Sequence, residues 1–595
     1  MNARRLLAWI FAWTFSVAPA LADGLIPGPG EPGHDAALAD LAAQYDKQFH
    51  AINAPFGISL DAHISDPADR AKVYDWFHDN PGDLDFETFM GKPLFEVVTQ
   101  YGEFGDMGMF GGVAVLGDVY RYALLRDGLG TPAEVDEARA IVVEIAEMWH
   151  AFRAITGPNG TVVRGLRPIG VPGAGVDPLV PLFDGMGNPL PATKTSVRRA
   201  DQSGGEFPDM EWQDDTSKDQ FIGYIMGLGA LWDVLSDDPA IPAGVIDDLE
   251  ADAAFLAAKL MEIAPETGLD MNLRDPDGRL TTFYDLNQND LGGIDLGSCP
   301  IDLVNGFNAL LGLASVKTLA HVTGDPDVMR FFRHQLIDVE GYDKAINSTL
   351  NLMYGYPISN YSNFNMAMVA IYNLIAYEND PDLLARWDDA LEHQIWFVDR
   401  DPDTISRSLQ SWFNFIYAGL RLGGTDAQAV AEGTQTLREF PEPPYFTRDV
   451  INCDAAEIAA GSCLAVDGVT TLALDGDFFF GTFIPREPRG GGIKTVDPLP
   501  KRLRPDNNFE WRSSPFEPNG GGSDRLNPGG DFRAAYWLGR RLQVSADNAV
   551  NRSPKARTAP DLDGDGVPYD RDNCLGLANP GQEDNDADGL GNDCD

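Results

Sequence analysis

Residues 220–235 read QFIGYIMGLGALWDVL, and residues 307–320 read FNALLGLASVKTLA. In both segments apolar residues occupy nearly every side of a helix, with glycines embedded among them. A helix without a polar face has to be covered by neighbours on all sides, whereas the acidic, amphipathic segment 243–264 suits a helix that faces water. Buried, glycine-rich helices alternating with solvated ones predict a double ring of helices.

Helical periodicity extends from about residue 35 to about residue 440. The candidate helices are 35–50, 68–78, 86–101, 108–127, 132–155, 217–237, 243–264, 301–323, 327–338, 361–378, 382–398, 405–422 and 426–438. They predict a mainly α fold, with an (α/α) toroid of six or seven helical hairpins over 23–440.

The pattern changes after the helical region. We expect an irregular, β-containing segment at 441–540 that packs on the body. Within it, Val469–Phe483 predicts a hairpin that turns at Asp475-Gly476, because β-branched and aromatic residues flank a turn dipeptide. A short last helix is expected at Ala534–Leu542.

The first residues have the layout of a secretory signal peptide, residues 1–22. Arg4 and Arg5 precede the apolar run Leu6–Val17, which is too short to span a bilayer. Cleavage after Ala22 would give a secreted protein, located outside the cell, at its surface or in the periplasm. No later segment has 18 uninterrupted apolar residues, so we expect no membrane span.

Charge and cysteine content restrict the partners and the compartment. The chain has 91 acidic and 44 basic side chains and a net charge of −47, which repels nucleic acid and anionic membranes. In an oxidising compartment, Cys453 with Cys463 and Cys574 with Cys594 are expected to form disulfides. Cys299 remains, and we interpret it as a buried thiol at a helix start.

A linker at 541–560 leads to a tail, 561–595, in which one five-aspartate pattern occurs twice. Aspartates stand at positions 1, 3, 5, 10 and 12, glycine stands at position 6, and the second copy follows by 23 residues. The candidate ligands are Asp561, Asp563, Asp565, Asp570, Asp572, Asp584, Asp586, Asp588, Asp593 and Asp595. Calcium prefers six to eight hard oxygen ligands, so the pattern predicts bound Ca²⁺. An EF-hand is disfavoured because position 12 is Asp rather than Glu.

The tail contains the string Asp572-Asn573-Cys574, followed by Asn579-Pro580-x-Gln582 and further aspartates. These strings resemble the thrombospondin type 3 repeat. That family wraps calcium ions with aspartates and joins its strands by disulfides. The resemblance covers only the tail, and it implies a spacer or an anchor rather than a catalytic activity.

The body resembles the toroidal carbohydrate-active enzymes, which are polysaccharide lyases and glycoside hydrolases. The resemblance lies in WQDDTSKDQ at 212–220, which precedes an apolar glycine helix, and in GDMGMFG at 105–111, which opens another. It implies a carbohydrate polymer as the substrate. It supplies no catalytic residue position by position, because fold analogy alone does not carry function.

Carboxylates at helix starts are the first catalytic candidates. Asp215 and Asp219 precede or begin one buried helix, and Asp106 begins another, where any of them could act as a general acid or base. Asp106 with Asp215 would suit an inverting glycosidase if a water fits between them. The alternative is purely structural, because Ser217 to Gln220 has the pattern of a capping box.

A second set of candidates lies in the polar, aromatic run 351–365. A lyase acting on a uronic acid needs a base such as Tyr and a group that neutralises the carboxylate, such as Asn, Arg or a cation. The run offers Tyr354 and Tyr361 as catalytic candidates. Its candidates for substrate binding are Asn351, Tyr356 and Asn360. A long loop ending in a helix cap is the structural alternative.

Two further residues are candidates for substrate binding. Arg164 lies in a glycine-rich loop between helices, where it could meet a substrate anion or form a loop salt bridge. Trp412 could stack on a sugar.

The leading functional hypothesis is an exported enzyme that cleaves a polysaccharide. A lyase is slightly favoured over an inverting hydrolase, because the Asn/Tyr run is richer than the carboxylate pairing. The alternative is a non-enzymatic extracellular or cell-surface binding protein with a calcium-stiffened stalk.

Overall fold

The computed structural model describes most of the chain between Gly24 and Cys594. The described ranges are 24–80, 91–102, 104–173, 178–290, 304–350, 362–397, 405–447, 450–486, 493–505, 515–521, 525–585 and 590–594. The predicted signal peptide and Cys299 lie outside these ranges.

Helices dominate the described ranges, so the prediction of a mainly α protein is confirmed. The helices are α1 Ala36–Gln48, α2 Pro67–Asp79, α3 Leu94–Val97, α4 Met107–Leu124, α5 Pro132–Ala154, α6 Lys218–Leu235, α7 Ala243–Met261, α8 Gly306–Thr323, α9 Pro326–Arg330, α10 Tyr342–Thr349, α11 Ser362–Ala376, α12 Pro381–Asp389, α13 Ser411–Leu420, α14 Ala427–Arg438, α15 Ala455–Ala459 and α16 Gly530–Arg541. Wider π-helical turns extend α1, α4, α9 and α12 through Phe49–Asn53, Leu125–Leu129, Phe331–Val339 and Ala390–Trp396.

The strands are short and form small antiparallel sheets. They are β1 Asp61–His63, β2 Gln100–Gly102, β3 Gly165–Pro168, β4 Arg198–Ala200, β5 Met210–Gln213, β6 Asn272–Arg274, β7 Leu280–Asp285, β8 Val450–Ile451, β9 Ser462–Leu464, β10 Thr471–Ala473, β11 Gly476–Phe479, β12 Thr482–Pro485, β13 Asn519–Gly520 and β14 Arg525–Leu526. The three-stranded sheets have the orders β14-β1-β2 and β3-β5-β4, and the two-stranded pairs are β6-β7, β8-β13, β9-β10 and β11-β12.

Local sequence signals explain several helix starts. Helices α2, α5, α9 and α12 each begin with a proline that follows an Asp or Thr N-cap. Proline suits the first turn because its missing N–H would have no intrahelical partner, and the N-cap side chain accepts a free backbone N–H. At α5, Thr131 and Glu134 form a complete capping box.

Some predicted elements differ from the structure. The described part of the interval 86–101 holds the single turn α3 and the first residues of β2, because Pro93 interrupts a continuous helix. The helix predicted at 405–422 is broken at Leu409, whose φ is +50°, so α13 begins only at Ser411. Helix α10 was not predicted, because its eight residues span only about two helical turns.

The hairpin predicted at Asp475-Gly476 turns elsewhere. Strand β10 pairs back onto β9, and β11 pairs with β12 through the two-residue turn Phe480-Gly481. Both turn residues have positive φ, as a tight hairpin turn with left-handed residues requires. The backbone N–H of Asp475 instead donates to the carbonyl of Lys494.

Six buried helices contact one another in chain order. Helix α4 packs on α6, α6 on α8, α8 on α11, α11 on α13, and α13 on α16. Helix α16 then packs on α4, so the chain of contacts closes. The two segments that lack a polar face are α6 and α8, and each is buried on every side.

Amphipathic helices contact the outside of these six. Helix α1 packs on α16, α5 on α4, α7 on α8, α9 on α8, α12 on α11, and α14 on α13. Helices α5 and α7 also contact each other. Each of these helices presents only part of its surface to the core.

A buried ion network joins the last buried helix to the first. Arg533 on α16 donates through Nε to Asp46 of α1 (2.6 Å) and through Nη2 to Asp118 of α4 (2.5 Å). His50 lies 2.9 Å from Asp118 and 3.1 Å from the guanidinium. Because Arg533 is 1 % exposed, these partners provide the charge compensation that a buried cation needs.

Both predicted disulfides are present, Cys453–Cys463 and Cys574–Cys594. The range 541–560, interpreted from the sequence as a linker, is held against the body. Asn548 donates to the carbonyls of Ala418 and Arg421, and Lys555 donates to the carbonyl of Asp233. Within the described ranges, no helix has the length and apolarity needed to cross a membrane.

Candidate functional site

The amino ends of α4 and α6 lie side by side. A Cβ added at Gly108 would lie 2.7 Å from the carbonyl oxygen of Gln220, and one added at Gly112 would lie 1.9 Å from that of Gly223. Between these two contacts the residue number rises in both helices, from 108 to 112 in α4 and from 220 to 223 in α6, so α4 and α6 run parallel. The two carboxylate-bearing helix starts predicted from the sequence are therefore neighbours.

Arg164 connects these two helix starts. Its Nη2 lies 3.8 Å from Oδ1 of Asp106, and its Nη1 donates to the hydroxyl of Ser217 (3.1 Å) and to the carbonyl of Asp215 (3.3 Å). The arginine immediately precedes β3, and its backbone N–H donates to the carbonyl of Gln213 on β5. Its side chain is 23 % exposed, so a cation reaches solvent where two buried helices begin.

The capping box predicted at Ser217 to Gln220 is wrong. Ser217 is the N-cap of α6, but its side chain accepts no capping hydrogen bond from the described backbone, and its hydroxyl instead donates to Asp219. The side chain of Gln220 accepts the N–H of Met109 (2.9 Å) and donates to Asp106 (3.2 Å). These polar groups connect α6 to α4 rather than capping α6.

Asp215 has a structural role in this arrangement. Its two carboxylate oxygens accept the N–H and the hydroxyl of Thr282, each at 2.8 Å, and it is 8 % exposed. Its φ of +62° is unusual for a residue with a Cβ, and its N–H donates to Asp275. Asp215 therefore fixes the β6-β7 hairpin to the start of α6, which does not favour its pairing with Asp106 as an inverting acid and base.

The β6-β7 hairpin adds residues that the sequence reasoning missed. Phe283 forms a backbone bridge with Ser217, and its side chain is 57 % exposed. Asp285 accepts from Lys218 (3.1 Å) and from the side-chain amide of Asn308 (2.9 Å) at the start of α8. The signal for this hairpin was the Asp-Gly dipeptide at 277–278 between two short β-like runs.

Burial raises the pKa of two carboxylates beneath the β6-β7 hairpin, Asp275 and Asp214. Burial raises the pKa of Asp275 to about 7, and nearby Asp214 adds to the shift, although Lys194 opposes it. Burial also raises the pKa of Asp214, against the opposing effect of its ion pair with Arg199. Both acids are buried and positioned behind Asp215, so they support the helix start rather than face solvent.

The remaining candidates in the body divide into two groups. The candidates in the Asn/Tyr run lie outside the described residues; they are Asn351, Tyr354, Tyr356, Asn360 and Tyr361. Trp412 lies in the first turn of α13 and is 2 % exposed, with its ring beside Phe413. A buried ring has no free face for a sugar, so the structure contradicts the expectation that Trp412 stacks on substrate.

In the tail, the first aspartate set is partly assembled. Asp561, Asp563 and Asp565 place carboxylate oxygens within 4.8 Å of one another. Desolvation raises the pKa of Asp563, and the charges of Asp565, Asp572 and Asp561 add to the rise. Oδ2 of Asp563 has no hydrogen-bond partner among the described residues. These hard oxygens are the type of donor that calcium prefers.

Asp570 does not belong to this cluster. It lines a cavity together with Arg571, Arg333 and Lys317. Burial raises the pKa of Asp570, and these basic groups oppose only part of the rise. Of the second copy, Asp584 and Asp593 lie in the described ranges. Asp586, Asp588 and Asp595 lie outside them.

No protein-family model matches the chain, and neither a curated protein nor a solved structure gives a match. Function therefore has to be inferred from the residues of this chain. The described side chains that converge where α4, α6 and α8 begin form the amino-end site. It comprises the polar residues Asp106, Arg164, Ser217, Lys218, Asp219, Asp285 and Asn308 and the aromatic residue Phe283.

Proposed function

We propose that the chain is an exported enzyme that cleaves a carbohydrate polymer at the amino-end site. The observation that carries the proposal is the position of Arg164, which links Asp106 to the start of α6 while remaining in contact with solvent. The exposed ring of Phe283 beside Ser217 offers an apolar face on which a sugar can stack. A cation, carboxylates and an aromatic face within one site are a suitable set for binding and cleaving a sugar chain.

The proposed architecture is an (α/α)6 toroid. Its support is the closed series of contacts among α4, α6, α8, α11, α13 and α16, with amphipathic helices packed against that series. Glycine contacts make α4 and α6 parallel, and α6 and α8 also run parallel, because Lys218 meets Asn308 while Gly229 meets Thr318. Parallel inner helices bring their amino ends to one face, where a substrate groove can form.

A lyase is favoured over an inverting hydrolase. An inverting hydrolase needs two available carboxyl groups, and the oxygens of Asp215 are occupied by Thr282. A lyase needs a positive group to neutralise the carboxylate of a uronic acid, and Arg164 would supply it. Lys218 is paired with Asp285, so Arg164 is the cation that would meet an anionic polymer at this site. Tyr354 and Tyr361 remain the proposed bases.

The enzyme proposal is tested by incubating the mature protein with a panel of neutral and uronate polysaccharides. A lyase raises the ultraviolet absorbance of unsaturated uronides together with reducing ends, whereas a hydrolase yields reducing ends alone. Arg164→Ala is expected to lower kcat/KM by about 100-fold, since an oriented charge on the reacting group contributes ~3 kcal/mol. Arg438→Ala, which removes an exposed ion pair with Asp35 on an outer helix, is the matched control.

Full activity of Arg164→Ala would exclude the amino-end site. Silence of the wild type across the panel would favour the alternative, a non-enzymatic binding protein at the cell surface.

We further propose that the tail binds calcium and that the protein is exported. Asp561, Asp563, Asp565 and Asp572 would hold the first ion, and the two disulfides suit an oxidising compartment. Calcium would neutralise carboxylates that otherwise repel one another. Calorimetric titration of the full chain should show binding that is weakened by Asp563→Asn and unchanged by Asp136→Asn on outer helix α5. Absence of heat and of spectroscopic change would refute the proposal.

A further inference from the structure

The β11-β12 hairpin ends in three consecutive phenylalanines that face water. Phe478, Phe479 and Phe480, which we call the aromatic tip, are 63 %, 61 % and 95 % exposed. Ile484, on the returning strand, is 52 % exposed. Contiguous apolar side chains on a protein surface mark a place where another molecule makes contact.

The backbone of the turn makes Phe480 a poor choice for folding alone. Phe480 has a φ of +50° and Gly481 a φ of +82°, and both central residues of a type I′ turn have such positive values. Asn-Gly is the preferred pair in that turn, whereas a bulky residue is strained in a left-handed conformation. The ring of Phe480 meets the edge of Phe479, 4.5 Å away between ring centres, but burial does not offset the strain because the residue is almost fully exposed. Folding therefore does not explain an aromatic side chain at this position, and contact with a second molecule would.

The hairpin belongs to a small lobe, the described residues of 450–505, that sits where inner helices begin. Phe483 of β12 is buried in one apolar cluster with Leu499 and Leu503. Between these two leucines, Lys501 lies 3.6 Å from Asp531 in the first turn of α16. The buried side of the hairpin is thus joined to the amino end of α16.

Two further connections tie the same part of the molecule to the starts of α13 and α4. Arg504 donates to the carbonyls of Ser408 (3.0 Å) and Leu409 (3.2 Å), which immediately precede α13. Strand β14, which leads into α16, pairs with β1, and β1 pairs with β2, the strand just before α4.

Helix α16 also runs parallel to α4. A Cβ added at Gly117 of α4 would lie 3.3 Å from the Cβ of Arg533, and further along the two helices Leu124 and Arg541 line one small cavity. The residue number therefore rises in the same direction in both helices. It follows that the lobe lies on the face of the helices that carries the amino-end site.

Charge distinguishes among the possible occupants of the aromatic tip. A net charge of −47 opposes the close approach of a second copy of the chain and of an anionic membrane. The three phenylalanines carry no charge, and an aromatic ring can stack on the apolar face of a sugar ring. A polymer bound at the amino-end site also extends beyond the residues that cleave it, so further sugars can reach the same face.

We propose that the aromatic tip is a second contact site for the carbohydrate polymer, at which Phe479 and Phe480 stack on sugar rings remote from the point of cleavage. The identity of the polymer rests on the proposed function. The contact itself is a binding event, so it can be tested without turnover.

Phe480→Asn separates binding from folding, because it gives the turn its preferred Asn-Gly pair. The unfolding free energy of the variant should stay the same or rise. Affinity electrophoresis of the full chain in gels that contain sodium alginate, sodium polygalacturonate or a neutral glucan measures polymer binding. Loss of one stacked ring should weaken that binding by about threefold to tenfold, and Phe479→Ala should act in the same direction. Val550→Asn removes a 51 % exposed side chain beyond the carboxyl end of α16, and this control should bind as the wild type does.

Equal retardation of wild type and Phe480→Asn, or no retardation of the wild type by any of the polymers, would overturn the proposal. So would a marked fall in the unfolding free energy of Phe480→Asn, since the ring would then serve folding. Binding to phosphatidylcholine vesicles, or a dimer in sedimentation, that Phe480→Asn abolishes without changing polymer affinity would assign the tip to lipid or to a second copy instead. Polymer binding that depends on Phe480 without any cleavage products would contradict only the enzyme proposal. Cleavage with equal retardation of the variant would contradict only the contact proposed here.

Discussion

Replacing Arg533 by methionine tests whether the buried ion network closes the series of helices. The side chain of Arg533 has no exposed surface and pairs with Asp46 at 2.6 Å and Asp118 at 2.5 Å. In the variant, Asp46 would still accept from the indole N–H of Trp537 and Asp118 would still contact His50. Both carboxylates would nevertheless lose their strongest partner. Removing one member of a buried ion network costs about 3–5 kcal/mol, and we expect a loss of that size at neutral pH.

The pH dependence of this loss has a defined sign. Burial alone raises the pKa of Asp118, but Arg533 and His50 more than offset burial and hold that pKa well below its usual value. In the wild type, this contribution to stability is present above the unfolded pKa of about 4 and is lost as the pH falls through the folded pKa. In the variant Asp118 can protonate readily, so the difference between the two proteins should shrink towards acid pH.

The assay is urea or guanidinium unfolding followed by circular dichroism at several pH values. Arg533→Met with Asp118→Asn should be less destabilised than Arg533→Met alone, because the uncompensated charge is gone. The control Arg438→Met removes an exposed ion pair with Asp35 and should cost at most about 1 kcal/mol. A loss below ~1 kcal/mol for Arg533→Met, or a loss independent of pH, would refute the reasoning.

Two other changes test the packing and the acids beneath the site. Gly112→Ala should lower the unfolding free energy by ~3 kcal/mol or more, because its Cβ would meet the carbonyl of Gly223 at 1.9 Å. Gly244 has open space around it, so Gly244→Ala should raise that free energy by about 0.5–1 kcal/mol in the same unfolding assay. Since the pKa of buried Asp275 is about 7, the folded state keeps its proton where the unfolded state has lost it, so stability should fall from about pH 4 to pH 7, by roughly 1.4 kcal/mol per unit. Asp275→Asn should flatten that slope, and an unchanged slope would mean that Lys194 keeps the carboxyl ionised in the folded protein.

Helices and disulfides could be predicted because their causes are local. An all-apolar segment such as 220–235 has to be buried whatever surrounds it, and an Asp-Pro or Thr-Pro start supplies its own cap. The strands were harder to predict. Strand β7 is six residues long and gains its partners from β6, from Ser217 and from Asp215, none of which its own periodicity encodes.

The candidate site was predicted only in part. The position of Asp106 and Arg164 near α6 agrees with the expectation that helix starts gather polar groups. The role of Gln220 differs, because it was assigned to a capping box and instead connects α6 to α4. Asp570 was grouped with the predicted calcium ligands by its place in the repeat, yet it lines the same cavity as Arg333 and Lys317.

The sequence by itself determined the mainly α content and the repeated pattern of aspartates along the tail, because both depend on spacing along the chain. Only the tertiary structure decided which side chains meet. Arg164 reaches Asp106 because α4 and α6 run parallel in glycine contact, and Gln220 connects α6 to α4 because its amide meets the N–H of Met109 and the carboxylate of Asp106. Such contacts depend on which of several possible partners, distant in the chain, a side chain pairs with. The spacing of residues along the chain does not determine that choice.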